Sequence, residues 1–311
     1  LVVSHSIKWQ VCYRFLNDSS MLRFVIRSVR LSNNTLMNPP SVTDSFEISL
    51  RYLAVGEKNA VIRPSVGGGD SASEEGDYVT KFVEIHDARN RSASLDQEGF
   101  MLSHQETKVA DFYSDDEIKS IYEEEVKTLL MDITGARRVE IFDHTRRASS
   151  IETQRKHGIR EPASTIHNDY DADSGLQRLR DFCPDEADKL TENRFAIINI
   201  WRSMKGSVRN FPLAMCDAST VSKSALVSVP RICKDRIGTV QMATFSPSHH
   251  WCYYPLMQMD EALLFKVYDS ADAERARFTL HTSFDDPSVN STTNTDRESI
   301  ETRCFVFWAK K

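Results

Sequence analysis

No stretch of this chain is apolar for the roughly 20 residues that a membrane-spanning helix requires, so no membrane span is expected. The six cysteines, Cys12, Cys183, Cys216, Cys233, Cys252 and Cys304, form no CxxC pair. That argues against a cysteine zinc site. Scattered in this way they suit reduced thiols in an intracellular protein, and a cytoplasmic location is the expectation. A glycine-rich phosphate loop is missing, as is a G-x-S-x-G elbow. Nucleotide-binding and serine-hydrolase readings therefore lack their usual signals. Positive charge is not in excess: 39 Lys and Arg stand against 45 Asp and Glu, for a net charge of −6. A protein that grips phosphate backbones wants the opposite balance, so nucleic acid is not an expected partner. Internal repeats are absent too.

What is present is ordinary in bulk. The chain has 311 residues, 40% hydrophobic and 27% charged, enough for one large soluble domain or two modest ones. Residues 1–30 carry Lys8, Arg14, Arg23, Arg27 and Arg30 against Asp18 alone. A basic, acid-poor stretch of this kind can be a transit peptide for mitochondria. The simpler expectation is a mis-joined or disordered extension, with a true start near Met21 or Met37. Residues 1–44 are accordingly set aside, and 45–311 are read as a single domain.

Alternation of apolar and polar residues predicts strands at 45–55, 78–89, 136–144, 194–203, 250–256, 261–269, 278–284 and 299–308. The segment 63–77, "RPSVGGGDSASEEGD", is rich in Gly, Ser and acid and reads as a mobile loop that buries little. A helix is predicted over 114–135. Ser114 and Glu117 have the spacing of a capping box, Ile118, Tyr122, Val126, Leu129 and Leu130 form one apolar face, and Gly135 supplies the stop. A second helical stretch is predicted over about 175–193, and 150–160 carries no signal. Strands dominate after 136 without strand–helix alternation. That excludes a doubly wound parallel sheet and favours an antiparallel sandwich or barrel.

In "STIHNDYD", His167 and Asp169 are two residues apart. On a strand such residues share a face. His281, 112 residues after Asp169 in a late strand, offers a third ligand. Two histidines and one carboxylate on one face of a metal leave positions open, the pattern of non-haem Fe(II) oxygenases. H-x-[DE] alone is weak: nine histidines give two matches, and the other, at His104, has no fitting third partner. Arg297 and Ser299 raise the specificity, since they form R-x-S 16 residues after His281. A 2-oxoglutarate-type cosubstrate needs a guanidinium and a hydroxyl for its far carboxylate. Arg303, on the same strand face, is the reserve clamp.

The runs "PASTIHNDYDADSG", "NIWRSMKGSVRNFPLAMCDAST", "HHWCYYPLMQMDEALLFKVYDS", "LHTSFDDP" and "RESIETRCFVF" resemble a family of natural-product oxygenases. These are the gibberellin-A4-desaturase-like and AsaB-like hydroxylase/desaturases, related to the CmcJ component of the cephamycin 7α-methoxylase. "SLDQEGFMLSHQETKVADFY" and "TGARRVEIFDHTRR" extend the resemblance over roughly 45–308. It implies a mainly β protein with flanking helices and a double-stranded β-helix (jelly roll, cupin-like) core from about 136 to 308. It further implies Fe(II) and 2-oxoglutarate as cofactors, with His167, Asp169 and His281 as ligands. Both Arg297 and Arg303 fall in the matching run, so it does not choose the clamp. The implied reaction is hydroxylation or desaturation, with O2, of a small hydrophobic metabolite of secondary metabolism such as a terpenoid or polyketide.

Tyr170, Trp201 and Arg202 are candidate substrate contacts, Arg202 only if it points inward. His144 is read as a buried or supporting histidine, and His249 and His250 as loop or strand-edge residues. Two rival readings remain: an accessory β-helix subunit without chemistry, and a zinc hydrolase indifferent to 2-oxoglutarate.

Overall fold

The computed structural model describes residues 45–234, 236–271, 275–287, 289 and 296–309. The expectations for residues 1–44 lie outside the described residues. Fifteen strands are found among those described: β1 (Ser45–Leu53), β2 (Val61–Arg63), β3 (Ser73–Glu75), β4 (Tyr78–Asp87), β5 (Phe100–His104), β6 (Arg138–Ala148), β7 (His167–Asn168), β8 (Phe195–Ser203), β9 (Leu213–Cys216), β10 (Leu226–Ile232), β11 (Ile237–Ala243), β12 (Trp251–Tyr253), β13 (Glu261–Asp269), β14 (His281–Ser283) and β15 (Glu298–Phe307).

Eight of them make the double-stranded β-helix. One antiparallel sheet runs β6-β15-β8-β13, with β5 added at its edge. The other runs β7-β14-β9-β12, flanked by β4 and β1 on one side and by β11, β10, β2 and β3 on the other. The two sheets face each other across one apolar cluster, in which Ile197, Phe265 and Phe305 meet Leu213, Met215 and Cys252. Every residue of β8 is buried. Its odd-numbered residues Phe195, Ile197 and Trp201 point into this cluster. Ala196, Ile198 and Ile200 point to the opposite side.

That opposite side is covered by the predicted helix. Helical turns run from α1 (Asp115–Glu117) through a π-helical segment (Ile118–Tyr122) into α2 (Glu123–Thr134). Val126, Leu129 and Leu130 pack on Ile198, Ile200, Cys304 and Val306, each contributing about 1.5–3 kcal/mol by burial. Ser114 Oγ accepts from the Glu117 amide, and Gly135 ends the run with φ +66°. The capping box is only half made. Glu117 Oε2 accepts instead from the amides of Ala110 and Asp111, so it ties down the loop before the helix.

The path of the chain departs from the sequence signals at four places. The second helical stretch is two helices, α4 (Ala172–Phe182) and α5 (Ala187–Thr191). Residues 150–160 contain α3 (Ile151–His157), capped by Ser150 and by Gly158 at φ +63°. The stretch 219–240, where no strand is predicted, contains β10 and most of β11, paired antiparallel from Leu226↔Ala243 to Ile232↔Ile237. The segment 63–77 buries little, as expected, with Ser65 its one buried residue, but it is not all loop, since it includes β3. Ser65 is buried and donates to Glu161 Oε2 at 2.7 Å. Gly67, at φ +97°, lies so close to α3's end that a Cβ would stand 2.5 Å from the Gly158 carbonyl oxygen. Gly67→Ala is therefore expected to destabilise the protein by about 1–3 kcal/mol, since the strain and the backbone clash cannot relax in a side chain. A thermal melt checks this, and an unchanged Tm would contradict it.

Candidate metal centre

His167 and His281 are direct cross-strand partners at the junction of β7 and β14. Their rings lie 4.4 Å apart between centroids. Each ring is held in the same way. His167 Nδ1 stands 2.8 Å from the Thr165 carbonyl oxygen, and His281 Nδ1 stands 3.0 Å from that of Thr279. A carbonyl can only accept, so both Nδ1 atoms carry the proton and both Nε2 lone pairs are free. Asp169 completes the group, with the ligand atoms of the three residues all within 4.8 Å of one another. Asp169 lies in a bend just past β7, not within a strand as expected. The turn is pinned from beneath by buried Asn168, whose side chain donates to the carbonyls of Tyr170 (2.5 Å) and Val267 (3.0 Å) and accepts from the Thr279 amide (3.2 Å).

Asp169 is oriented by two side chains of the opposite sheet. Asn199 Nδ2 and Arg303 Nε both donate to its Oδ2, at 2.8 and 2.9 Å. Oδ1 is left on the side of His167 Nε2, 3.8 Å away. Burial works to raise the Asp169 pKa, but the Arg303 charge, the two histidines and the Asn199 hydrogen bond outweigh it, so the carboxyl stays ionised. Burial, with His281 alongside, pushes His167 down to about 4. Burial likewise lowers His281. At neutral pH the set is two neutral imidazoles and one carboxylate, the protonation states that a divalent metal requires. The donor set matches the facial arrangement suited to Fe(II).

Arg303, the reserve clamp, is occupied elsewhere. Besides Asp169 it donates to Asp143 Oδ2 (2.7 Å) and Thr145 Oγ1 (2.8 Å), and it pairs with Glu301. It holds the Asp169 carboxylate in place and has no fork left for a cosubstrate. Arg297 is different. It is buried with no carboxylate partner among the described residues. Its Nε donates to Ser299 Oγ at 3.2 Å and Nη1 to the Phe211 carbonyl at 2.5 Å, with the guanidinium 5.1 Å from the Trp201 ring centre. Phe211 itself sits at φ +46°. Burial, with Arg147 nearby, lowers the Arg297 pKa. A buried cation without an anion is costly, and a carboxylate ligand relieves that cost.

A cavity of about 460 Å³ opens beside His167 and Asp169, with Arg147, Arg160, Arg231 and Arg303 also in its walls. Pro64, Ser65, Ser71, Ala72 and Glu74, from the glycine-rich segment and β3, also line it.

A family model described as an oxidoreductase/YMDC permease-like domain matches residues 51–307. Among the described residues no helix is long and apolar enough to cross a membrane. The chain is 31% identical to hydroxylase/desaturase CTB9 of Cercospora beticola over 87% of its own length and 92% of the relative's. It is 32% identical to hydroxylase/desaturase efuI of Hormonema carpetanum, over 74% and 85%. The Fe(II)/2-oxoglutarate-dependent dioxygenase nvfI of Aspergillus novofumigatus is 29% identical, over 72% and 82%. The chain belongs to the Fe(II)/2-oxoglutarate-dependent hydroxylase/desaturases. Its fold matches a solved structure of the iron and alpha-ketoglutarate-dependent endoperoxidase NvfI, with a TM-score of 0.74 at 24% identity, over 86% of this chain and 99% of that one. The family and the β-helix fold are those that the quoted runs imply.

Within this hydroxylase/desaturase fold the remaining candidates separate. Arg202 is corrected: it points away from the site, toward the helix layer. There it donates to the Gln105 and Met259 carbonyls, each at 3.0 Å, beneath the Tyr122 ring. Parity on β8 forces this, because Asn199 and Trp201 take the inner face. Trp201 is an inner wall beside Arg297, and Tyr170 is buried in the inner cluster. His144 is on the helix side, 2.8 Å from Thr302 Oγ1. His104 is exposed and pairs with Asp260. His249 is buried against Tyr52. Five cysteines, Cys183, Cys216, Cys233, Cys252 and Cys304, are free thiols. Asn199, Glu301 and Asn168 were missed. Asn199 carries a signal, a polar residue among apolar strand neighbours in "AIINIW", whereas Asn168 and Glu301 have polar neighbours and carry none.

Proposed function

We propose that His167, Asp169 and His281 hold Fe(II), that Arg297 with Ser299 holds the far carboxylate of 2-oxoglutarate, and that the chain hydroxylates or desaturates a small metabolite with an apolar body. The observation that carries this reading is the pair of cross-strand histidines. Their Nδ1 protons are fixed on backbone carbonyls, and their free Nε2 atoms converge with an oriented carboxylate. Bound Fe(II) with 2-oxoglutarate and O2 supplies the oxidising power needed to break an unactivated C–H bond.

The chain's own residues do the rest. Thr165 and Thr279 set the imidazole tautomers. Asn199 and Arg303 hold Asp169 Oδ2 and so present Oδ1. Pro64, Ser65, Ser71, Ala72 and Glu74 wall part of the cavity, which limits the water that reaches a reactive centre. Names of relatives such as hydroxylase/desaturase CTB9 and efuI support the choice of reaction. The purified protein is expected to bind one Fe(II) and to release succinate from 2-oxoglutarate. A zinc hydrolase would be indifferent to that cosubstrate.

The clamp has its own test. Arg297→Gln is expected to weaken 2-oxoglutarate binding about 10- to 100-fold, the loss of a charge-assisted hydrogen bond worth about 1.5–3 kcal/mol. Iron affinity should stay unchanged. If Arg303→Gln weakens the cosubstrate and Arg297→Gln does not, the clamp is misassigned.

A further inference from the structure

The cavity beside the metal centre carries more positive charge than its acids neutralise. Each of its three acidic residues already has partners. Glu74 pairs with Arg51 and accepts from Thr165 Oγ1. Glu161 accepts from Ser65 Oγ and the Ala72 amide. Asp169 is taken by Arg303 and Asn199. Two arginines of the same wall, Arg160 and Arg231, make no ion pair with any carboxylate among the described residues. Among the described residues Arg231 Nη1 donates to the Cys233 sulfur, at 3.0 Å. Both are half-buried, and both also line an adjoining cavity of about 440 Å³, so they stand where the two spaces meet.

The backbone presents this pair rigidly. Arg160 is bridged to Arg147, its carbonyl accepting from the Ala148 amide at 2.9 Å. Arg231 lies in β10, between β11 and β2, opposite Gly238 and Ile62. Two guanidiniums held together repel each other, and the one described acid whose charge acts on Arg160, Asp143, is already paired with Arg303. Burial first, and then the charges of Arg231 and Arg303, push the Arg160 pKa down. An arrangement of this kind is unfavourable when empty and is relieved by a carboxylate, which a planar fork binds in bidentate fashion.

We infer that Arg160 and Arg231 form an anion subsite for the substrate, and that the substrate is an apolar molecule bearing a carboxylate or an equivalent acid group. The inference rests on the reading of the site as a 2-oxoglutarate oxygenase. It places the substrate's acid at the junction of the two cavities and its apolar body along Ile62, Pro162, Ala163 and Val240. The cosubstrate has a separate anchor in Arg297, which is not in this cavity's wall. The subsite would orient one end of the substrate, so that the C–H bond presented beside His167 and Asp169 is fixed by its distance from the acid.

Decanoate and decanamide are suitable probes, since they share an apolar chain and differ in charge. They are titrated by calorimetry into the anaerobic holoenzyme loaded with Fe(II) and 2-oxoglutarate. Decanoate is expected to bind at least about tenfold tighter than decanamide, an advantage that salt screens. Arg160→Gln and Arg231→Gln, singly and together, should remove that advantage while 2-oxoglutarate affinity stays within about twofold, which also shows that the variants are folded. Equal affinity for the two probes overturns the subsite. So does a large loss of 2-oxoglutarate affinity in these variants, which would make the pair the cosubstrate's clamp. Loading with Fe(II) and 2-oxoglutarate is read before any probe is added, so failure of the oxygenase reading is distinguishable from failure of the subsite.

Discussion

Asp169→Ala is expected to bind iron no better than background and to release no succinate, yet to remain folded. Two neutral imidazoles alone make a weak, poorly selective site, and the missing carboxylate also removes the charge that offsets a divalent ion. The fold should survive because the partners of Asp169 are not orphaned. Arg303 keeps Asp143, Thr145 and Glu301, and Asn199 keeps Glu301. A stability loss of no more than about 1–2 kcal/mol is expected, typical of a substitution that leaves its neighbours paired. Iron content after gel filtration and a thermal melt read the two effects separately. Full iron content or full turnover in this variant would contradict the assignment.

Arg303→Met should do the reverse, damaging the fold and weakening the metal site indirectly. Its removal leaves Asp169 and Glu301 buried in one place without their shared cation. Removing one partner of a buried pair costs about 3–5 kcal/mol. Freeing Asp169 Oδ2 should also lower iron affinity about 10- to 100-fold, as losses of ligand-orienting partners do. The pH dependence follows from the depressed Asp169 pKa. An unfolded aspartate titrates near ~3.9, so the stability that Asp169 contributes is present above that range and is lost as pH falls through and below it. Without Arg303 the folded pKa rises, and that contribution shrinks even at neutral pH. Urea denaturation of both proteins at pH 7 and near pH 4 measures this, with the gap between them expected to narrow in acid. A gap that widens in acid would contradict the network as drawn.

Much of the fold was legible in the sequence because the strands alternate, and H-x-D kept His167 and Asp169 close together although Asp169 lies in the bend past β7. His167 and His281 needed only a strand each, and the R-x-S pair only the entry to β15, with Arg297 just before the strand and Ser299 in it. What was hidden has physical reasons. All nine residues of β8 are buried, so its alternation gives no inward or outward sign, and Arg202 could be read either way. The β10–β11 hairpin was masked by Pro230 and Gly238, both poor strand residues. Pro230 is tolerated because β10 lies toward the sheet's margin, where its bridge to β2 falls at Arg231 alone. The helix α3 is short and polar, with no apolar stripe to announce it. The glycine run 67–69 looked like slack chain. At Gly67 the close passage of α3's end requires the missing side chain. The role of Arg303 depends on which acids surround it in space, and spacing along one strand does not say so.

The central claim is that His167, Asp169 and His281 converge on one Fe(II) ion with room for 2-oxoglutarate beside them. Anaerobic titration of the protein with Fe(II) and 2-oxoglutarate, followed in the visible region, tests it most directly. A charge-transfer band saturating at one equivalent of each is predicted for the protein, with no band for Asp169→Ala or His281→Ala. A band that survives undiminished in those variants, or none at all in the intact protein, would contradict it.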